Sequence, residues 1–179
     1  ETGHADVAYR LLHQESFPSW LYTIKHGATT IWERWDGWTE GKGFQSPNMN
    51  SFNHYSLGSV GEWLYRYVAG IDAAEPGYGH VVIRPHPGGK LRWARASYES
   101  VRGPITSAWE LSDGTLRLQA SIPPNTTATV HLPATPDRIE ESGVPLQEAE
   151  GIEVAKKGKG HTILKVGSGE YEFTASSNQ

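Results

Sequence analysis

The stretch Ser51–Val68, SFNHYSLGSVGEWLYRYV, decides how the first part of the chain is read. At about 100° per residue, Leu57, Val60, Gly61, Leu64 and Val68 fall on one side, and Phe52, Tyr55, Trp63 and Tyr67 on nearly the opposite side. Asn50 or Ser51 supplies a cap and Gly70 a stop, so the spacing predicts one long helix between them. Glu62 and Arg66 occupy the narrow polar band at i,i+4 spacing, which suits a solvent-facing ion pair. A helix apolar on two sides is sandwiched between other elements, as in a layered helical bundle or barrel.

Upstream, HADVAYRLLHQ places Val7, Leu11 and Leu12 together at helical spacing. FPSWLYTIKHG opens with Pro18 at a position suited to a first helical turn and closes on Gly27. Three helices cannot supply the layers that the third one requires. The helical region is therefore expected to be one part of a larger helical body.

Downstream the period changes to two. From about Tyr78, the runs HVVIRP, LRWARASYESV, ITSAWELSDGTLRLQASIP, TATVHLP, HTILKVG and YEFTA alternate between turn residues and read as strands. Asp113-Gly114 sits between two alternating runs and marks a hairpin. The stretch AAEPGYG reads as an interdomain connector, and Pro85, Pro87, Gly88 and Gly89 as a loop. About seven or eight strands uninterrupted by helix imply an antiparallel sandwich. The expected class is α+β by segregation, with helices over residues 1–71 and an antiparallel β-sandwich over residues 72–179.

Composition narrows the functions. The chain has 179 residues and a formal charge of -4, with basic residues scattered, which argues against a nucleic-acid partner. No apolar run approaches a membrane span, and the first residues show no signal-peptide apolar core, so no membrane partner is expected and localisation stays open. There is no cysteine, and the eight histidines show neither H-x-x-H nor HExxH spacing. No metal site and no cofactor are expected.

The chemistry concentrates around GATTIWERWDGW, residues 27–38, where three tryptophans and three charged residues share twelve positions. Thr30-x-x-Glu33 matches a capping box, with Asp36-Gly37 ending the short helix that would follow. A capping glutamate does not need Trp32, Trp35 and Trp38 around it. A carboxylate that activates water beside a sugar ring does benefit from apolar walls. Asp36 is a second candidate carboxylate and Glu40 a third. The segment Gly37–Asn50 is a long glycine-rich loop of the kind that is often functional. His54, in the first turn of the long helix, is expected to point inward as a neutral donor and acceptor, or to be a satisfied core histidine. Ser51 and Ser59 lack a nucleophile-elbow context, and Asn125-Thr126-Thr127 after two prolines reads as a turn.

FPSWLYTIKHGATTIWERWDGW followed by MNSFNHYSLGSVGEWLYRYVAGI closely resembles the C-terminal part of the catalytic domain of bacterial α-L-rhamnosidases of glycoside hydrolase family 78. That match runs from about Ala5 to Ile71. GYGHVVIRPHPGGKLRWARASYESVRGPI and IPPNTTATVHLP are similar to the family's C-terminal β-sandwich. The resemblance implies the end of an (α/α)6 catalytic barrel and an inverting hydrolase of terminal α-L-rhamnosyl linkages. It makes Glu33 the general base and His54 a contact to bound rhamnose, with Trp32, Trp35 and Asn53 lining the substrate. The partners so implied are a rhamnosylated glycoside or polysaccharide and an upstream barrel segment. Members carry the general acid in that upstream segment, so this chain alone is expected to be inactive.

A different class of function is a noncatalytic carbohydrate-binding or protein-interaction module built on the sandwich. Trp93 and Trp109, the two tryptophans of that region, discriminate: a stacking platform needs one facing outward.

Overall fold

The computed structural model describes residues 3–176 and divides them into two compact units. The first runs to Glu62 and includes Gly88–Lys90, while the second comprises Trp63–Pro87 and Leu91 onward.

In the first unit, α1 spans Ala5–Leu12 and α2 spans Trp20–Lys25, with a short hairpin of β1, Trp38–Thr39, and β2, Gly43–Phe44. The side of α1 that carries Val7 and Leu11 is exposed. Leu11 is 53% exposed and Val7 is also exposed, while the buried residue is Tyr9. Its ring lies on the backbone of Gly88 and Gly89, where a Cβ on Gly88 would come within 2.4 Å of it. Pro18 falls outside α2 rather than in its first turn. Ser19 is the cap, in extended conformation, its Oγ accepting the Tyr22 N–H at 3.0 Å.

The long helix expected from Ser51 begins only at Ser56. A 3-10 turn, Ser56–Ser59, leads into the single α turn α3, Val60–Trp63, and then into a π-helical stretch, Leu64–Ala69. Ser51–Tyr55 is not helical because its backbone groups are bonded elsewhere. Ser51 and His54 pair with the Ile31–Glu33 segment, and the Ser51 hydroxyl closes a local turn with the Asn53 backbone. Tyr55, placed on an apolar stripe by the helical reading, is 85% exposed. Gly70 does stop the helix, in left-handed conformation at φ 80°. A Cβ there would lie 2.1 Å from the Pro85 nitrogen, so close backbone approach and dihedral both demand glycine.

The second unit holds two sheets. β3, Ile71–Ala73, and β4, His80–Ile83, belong to a five-stranded sheet with β8, Thr127–Leu132, β11, Ile152–Gly158, and β12, His161–Val166. The six-stranded sheet combines β5, Trp93–Ser100, β6, Gly103–Ser112, β7, Thr115–Ile122, β9, Ile139–Glu141, β10, Val144–Pro145, and β13, Gly169–Ser176. Pairings are antiparallel except β4 with β8, which is parallel. AAEPGYG is not a connector between domains: it joins β3 to β4 within one sheet. The Asp113-Gly114 hairpin forms as expected, with positive φ at both residues, 49° and 75°.

Alternation fixes which residues make the core. Val81, Ile83, Val130, Leu132 and Leu164 of one sheet and Ile105, Trp109, Leu116, Leu118 and Phe173 of the other are buried. Trp109 and Ser107 carry an added task. The Trp109 indole N–H donates to the Val68 carbonyl and the Ser107 hydroxyl to the Ala69 carbonyl, each at 2.7 Å. These carbonyls end the π-helical stretch and would otherwise be buried orphans.

Candidate functional site

Thr30–Glu33 and Ser51–His54 lie side by side, joined by backbone hydrogen bonds. The Glu33 N–H donates to the Ser51 carbonyl at 2.9 Å, and the His54 N–H to the Ile31 carbonyl at 2.9 Å. The Thr30 hydroxyl adds a bond to the Phe52 carbonyl. This pairing replaces the capping box and the short helix expected after Thr30. The glutamate has no helix to cap, and turns rather than helix follow it.

The Glu33 carboxylate reaches across the same ladder. Its Oε2 accepts the Ser51 N–H at 2.8 Å, and among the described residues Oε1 has no partner. One oxygen is thus held by the backbone and the other is open. Asp36 is placed differently: Arg34 binds it through two parallel bonds, Nε to Oδ1 and Nη2 to Oδ2, both 2.9 Å. Glu40 is exposed, 4.0 Å from His26.

His54 precedes the helix instead of sitting in its first turn, and it is half-buried. Its Nδ1 accepts the Ser56 N–H at 3.2 Å, which in the neutral ring leaves the proton on Nε2 as a donor for a ligand. The ring stacks on exposed Tyr55 at 5.1 Å between centroids. Asn53 is exposed, its backbone tied to the Ser51 hydroxyl.

The tryptophans form the backing of this ladder. Trp32, the neighbour of Glu33, faces inward. It is 7% exposed and meets the edge of Phe52 at 5.2 Å, with Phe44 behind. Trp35 is edge-on to Trp20 at 5.2 Å, and the Trp20 indole N–H donates to the Leu57 carbonyl at 3.0 Å. Trp38 lies against His26 at 5.0 Å.

Sequence reasoning passed over two residues. Ser51 supplies the N–H that orients Glu33. Asn50 ties the glycine-rich loop down through its Nδ2, which donates to the Gly37 carbonyl at 2.8 Å, while its Oδ1 is buried without a partner. Asn50 entered the helical reading only as a cap, and that hid its contact across thirteen positions.

Two family models match successive parts of the chain. The bacterial alpha-L-rhamnosidase 6 hairpin glycosidase domain matches residues 1–68, and the bacterial alpha-L-rhamnosidase C-terminal domain matches residues 70–145. The chain belongs to the bacterial α-L-rhamnosidase family. An α-L-rhamnosidase of Streptomyces avermitilis is 50% identical over 175 residues, and one of Formosa agariphila 38% identical over 176. They cover 97% and 98% of this chain, which spans only 16% and 19% of their lengths. Among solved structures, the Streptomyces avermitilis α-L-rhamnosidase complexed with L-rhamnose superposes with a TM-score of 0.87 at 49% identity, covering 98% of this chain and 16% of that one. The native α-L-rhamnosidase of Aspergillus terreus gives 0.78 at 36% identity, with 97% and 17% covered.

Proposed function

We propose that this chain is the C-terminal portion of an inverting α-L-rhamnosidase that hydrolyses terminal α-L-rhamnosyl linkages, with Glu33 as general base. The segment before β3 is then the end of an (α/α)6 barrel, and the segment from β3 on is its β-sandwich. The observation that carries the reading is the asymmetric environment of the Glu33 carboxylate. A general base must be oriented yet keep one oxygen open to take a proton from water. Ser51 holds Oε2, and Oε1 remains for the water.

His54 binds the sugar through its Nε2–H, and Asn53 is the polar neighbour across the turn. Trp32 and Trp35 shape the wall from behind, holding the ladder rigid so that the carboxylate does not drift. In the inverting reaction the base removes a proton from water as it attacks the anomeric carbon. A carboxylic acid about 6.5–9.5 Å away protonates the departing oxygen. Asp36 is engaged elsewhere, since both of its carboxylate oxygens accept bonds from Arg34. The family resemblance puts the acid in an upstream barrel segment, so the chain alone is inactive. Val7, Leu11, Ile24 and Phe44 on the first unit offer exposed apolar surface for that segment to cover.

The test is release of p-nitrophenol from p-nitrophenyl α-L-rhamnoside. The 179-residue chain should show no turnover, and a longer rhamnosidase containing this segment should lose turnover on Glu33→Gln. Turnover by the chain itself that disappears in Glu33→Gln would mean that the acid lies within it.

A further inference from the structure

The outer face of the six-stranded sheet carries a second arrangement suited to sugars. Register places Trp93 of β5 opposite Glu110 of β6, which faces Arg117 of β7. In the next row Arg95 opposes Ala108, Ala108 opposes Gln119, and Gln119 opposes Glu172 of β13. Alternation puts all of these on the solvent side, where they line an open trough of about 410 Å³.

Trp109, the other tryptophan of the sandwich, is 2% exposed, whereas Trp93 is 63% exposed at the start of an edge strand. The Arg95 guanidinium lies 6.0 Å from the Trp93 ring centroid, a cation–π contact that restrains the indole as a platform. Beside that platform the floor is small at Ala108, and the far wall is polar. Gln119 donates to Glu172 at 3.3 Å, leaving its carbonyl oxygen and the second Glu172 oxygen for a ligand.

Charge selects the class of ligand. Two arginines, Arg95 and Arg117, stand against two glutamates, Glu110 and Glu172, and none of the four forms an ion pair among the described residues. A polyanion would meet both carboxylates, and a protein partner would find Trp93 alone as an apolar anchor. Hydroxyl groups, each both donor and acceptor, match an evenly mixed set of this kind. β5 and β13 are three strand spacings apart, roughly 14 Å, which is wider than one pyranose ring. We propose that this trough is a noncatalytic binding site for a neutral oligosaccharide, with Trp93 stacking on a sugar ring and Arg95, Gln119 and Glu172 bonding its hydroxyls. It is independent of the Glu33 reading.

The experiment titrates the 179-residue chain with cellotetraose, xylotetraose and, as the charged comparison, tetragalacturonate, following indole and side-chain amide NMR signals. A neutral tetrasaccharide should shift the Trp93 indole N–H and the Gln119 amide with Kd in the range of about 0.1–10 mM. Trp93→Ala should weaken that binding about tenfold or more, and Gln119→Ala several-fold, while Glu33→Gln leaves it unchanged. Trp93 is exposed, so its variant should keep the native far-UV circular dichroism. The assignment is overturned if neither neutral tetrasaccharide moves the Trp93 indole up to about 10 mM, or if tetragalacturonate binds more tightly than both. Retention of full affinity in Trp93→Ala would overturn it too. So would a concentration-dependent dimer lost in that variant, which would make the face a contact between copies.

Discussion

Glu33 and Ser51 bond each other twice: the Glu33 N–H donates to the Ser51 carbonyl at 2.9 Å, and the Ser51 N–H returns to the Glu33 carboxylate at 2.8 Å. The reciprocal pair fixes backbone and side chain of the glutamate together. A carboxylate so held loses little further freedom when a water docks on its open oxygen.

Glu33→Gln separates the proposed role as base from the bracing of the backbone. The amide oxygen can still accept the Ser51 N–H, but the side chain can no longer take a proton. In a rhamnosidase containing this segment, kcat should fall by about 10²–10⁴-fold. The urea midpoint should move by less than about 1 kcal/mol equivalent. Unchanged kcat beside a lowered midpoint would mean that Glu33 only braces the ladder.

His54→Ala removes a proposed donor to the sugar without touching the base. KM for p-nitrophenyl α-L-rhamnoside should rise more than kcat falls, because the lost bond serves bound substrate and transition state alike. An equal loss in kcat and kcat/KM would place His54 in the chemical step instead.

The sandwich was legible because alternation is a local signal: β4 to β8, β12 and β13 coincide with period-two runs, and Asp113-Gly114 names its own turn. Strands β3, β9, β10 and β11 escaped, β9 and β10 being only three and two residues long. β3 is three residues long, and β11 carries a register irregularity between Val154 and Lys156 that spoils its alternation. The helical region was harder for a different reason. The Ser51–Val68 run has helical spacing throughout, yet its first five residues form no helix because the Ile31–Glu33 segment competes for their backbone groups. Such pairing depends on residues some twenty positions away, which no periodicity records. Glu33 and His54 were nevertheless singled out, since their motif carried them. Ser51 was not, because its part is played by a main-chain N–H that any side chain would leave in place.

Gly70→Ala should be among the most damaging small changes in the chain. The left-handed dihedral costs a non-glycine residue about 1–3 kcal/mol, and the added Cβ meets the Arg84–Pro85 backbone. Since backbone cannot swing aside as a flexible side chain would, the combined loss should exceed about 3 kcal/mol. Chemical denaturation measures it, and a loss below 1 kcal/mol would show that the β3–β4 strand ends yield easily.

Ser107→Ala tests the closure of the π-helical stretch. The hydroxyl is fully buried and is the donor to the Ala69 carbonyl, so its removal strands that acceptor away from water. A loss of about 1–3 kcal/mol is expected from a change of one oxygen atom. Hydrogen exchange should also speed up at the amides of Val68 and Ala69 before the rest of the unit opens. Wild-type stability in this variant would mean that another donor reaches Ala69.

His131 gives the chain a pH dependence whose sign can be worked out. Burial is the largest cause, and nearby Arg84, His161 and His86 add to it, lowering its pKa to about 4. His86 is lowered in the same direction, by burial first and then by Arg84. An unfolded histidine takes its proton near pH 6.5, so between about 6.5 and 4 the unfolded chain binds more protons than the folded one. Stability is therefore fully present above about pH 6.5, falls as pH drops, and has lost the His131 share once both states are protonated below about 4. His131→Gln should flatten the fall in urea midpoint across that window without abolishing it, because His86 still contributes. If the variant keeps the whole wild-type slope, His131 is not held neutral in the sheet, and the loss belongs to other groups.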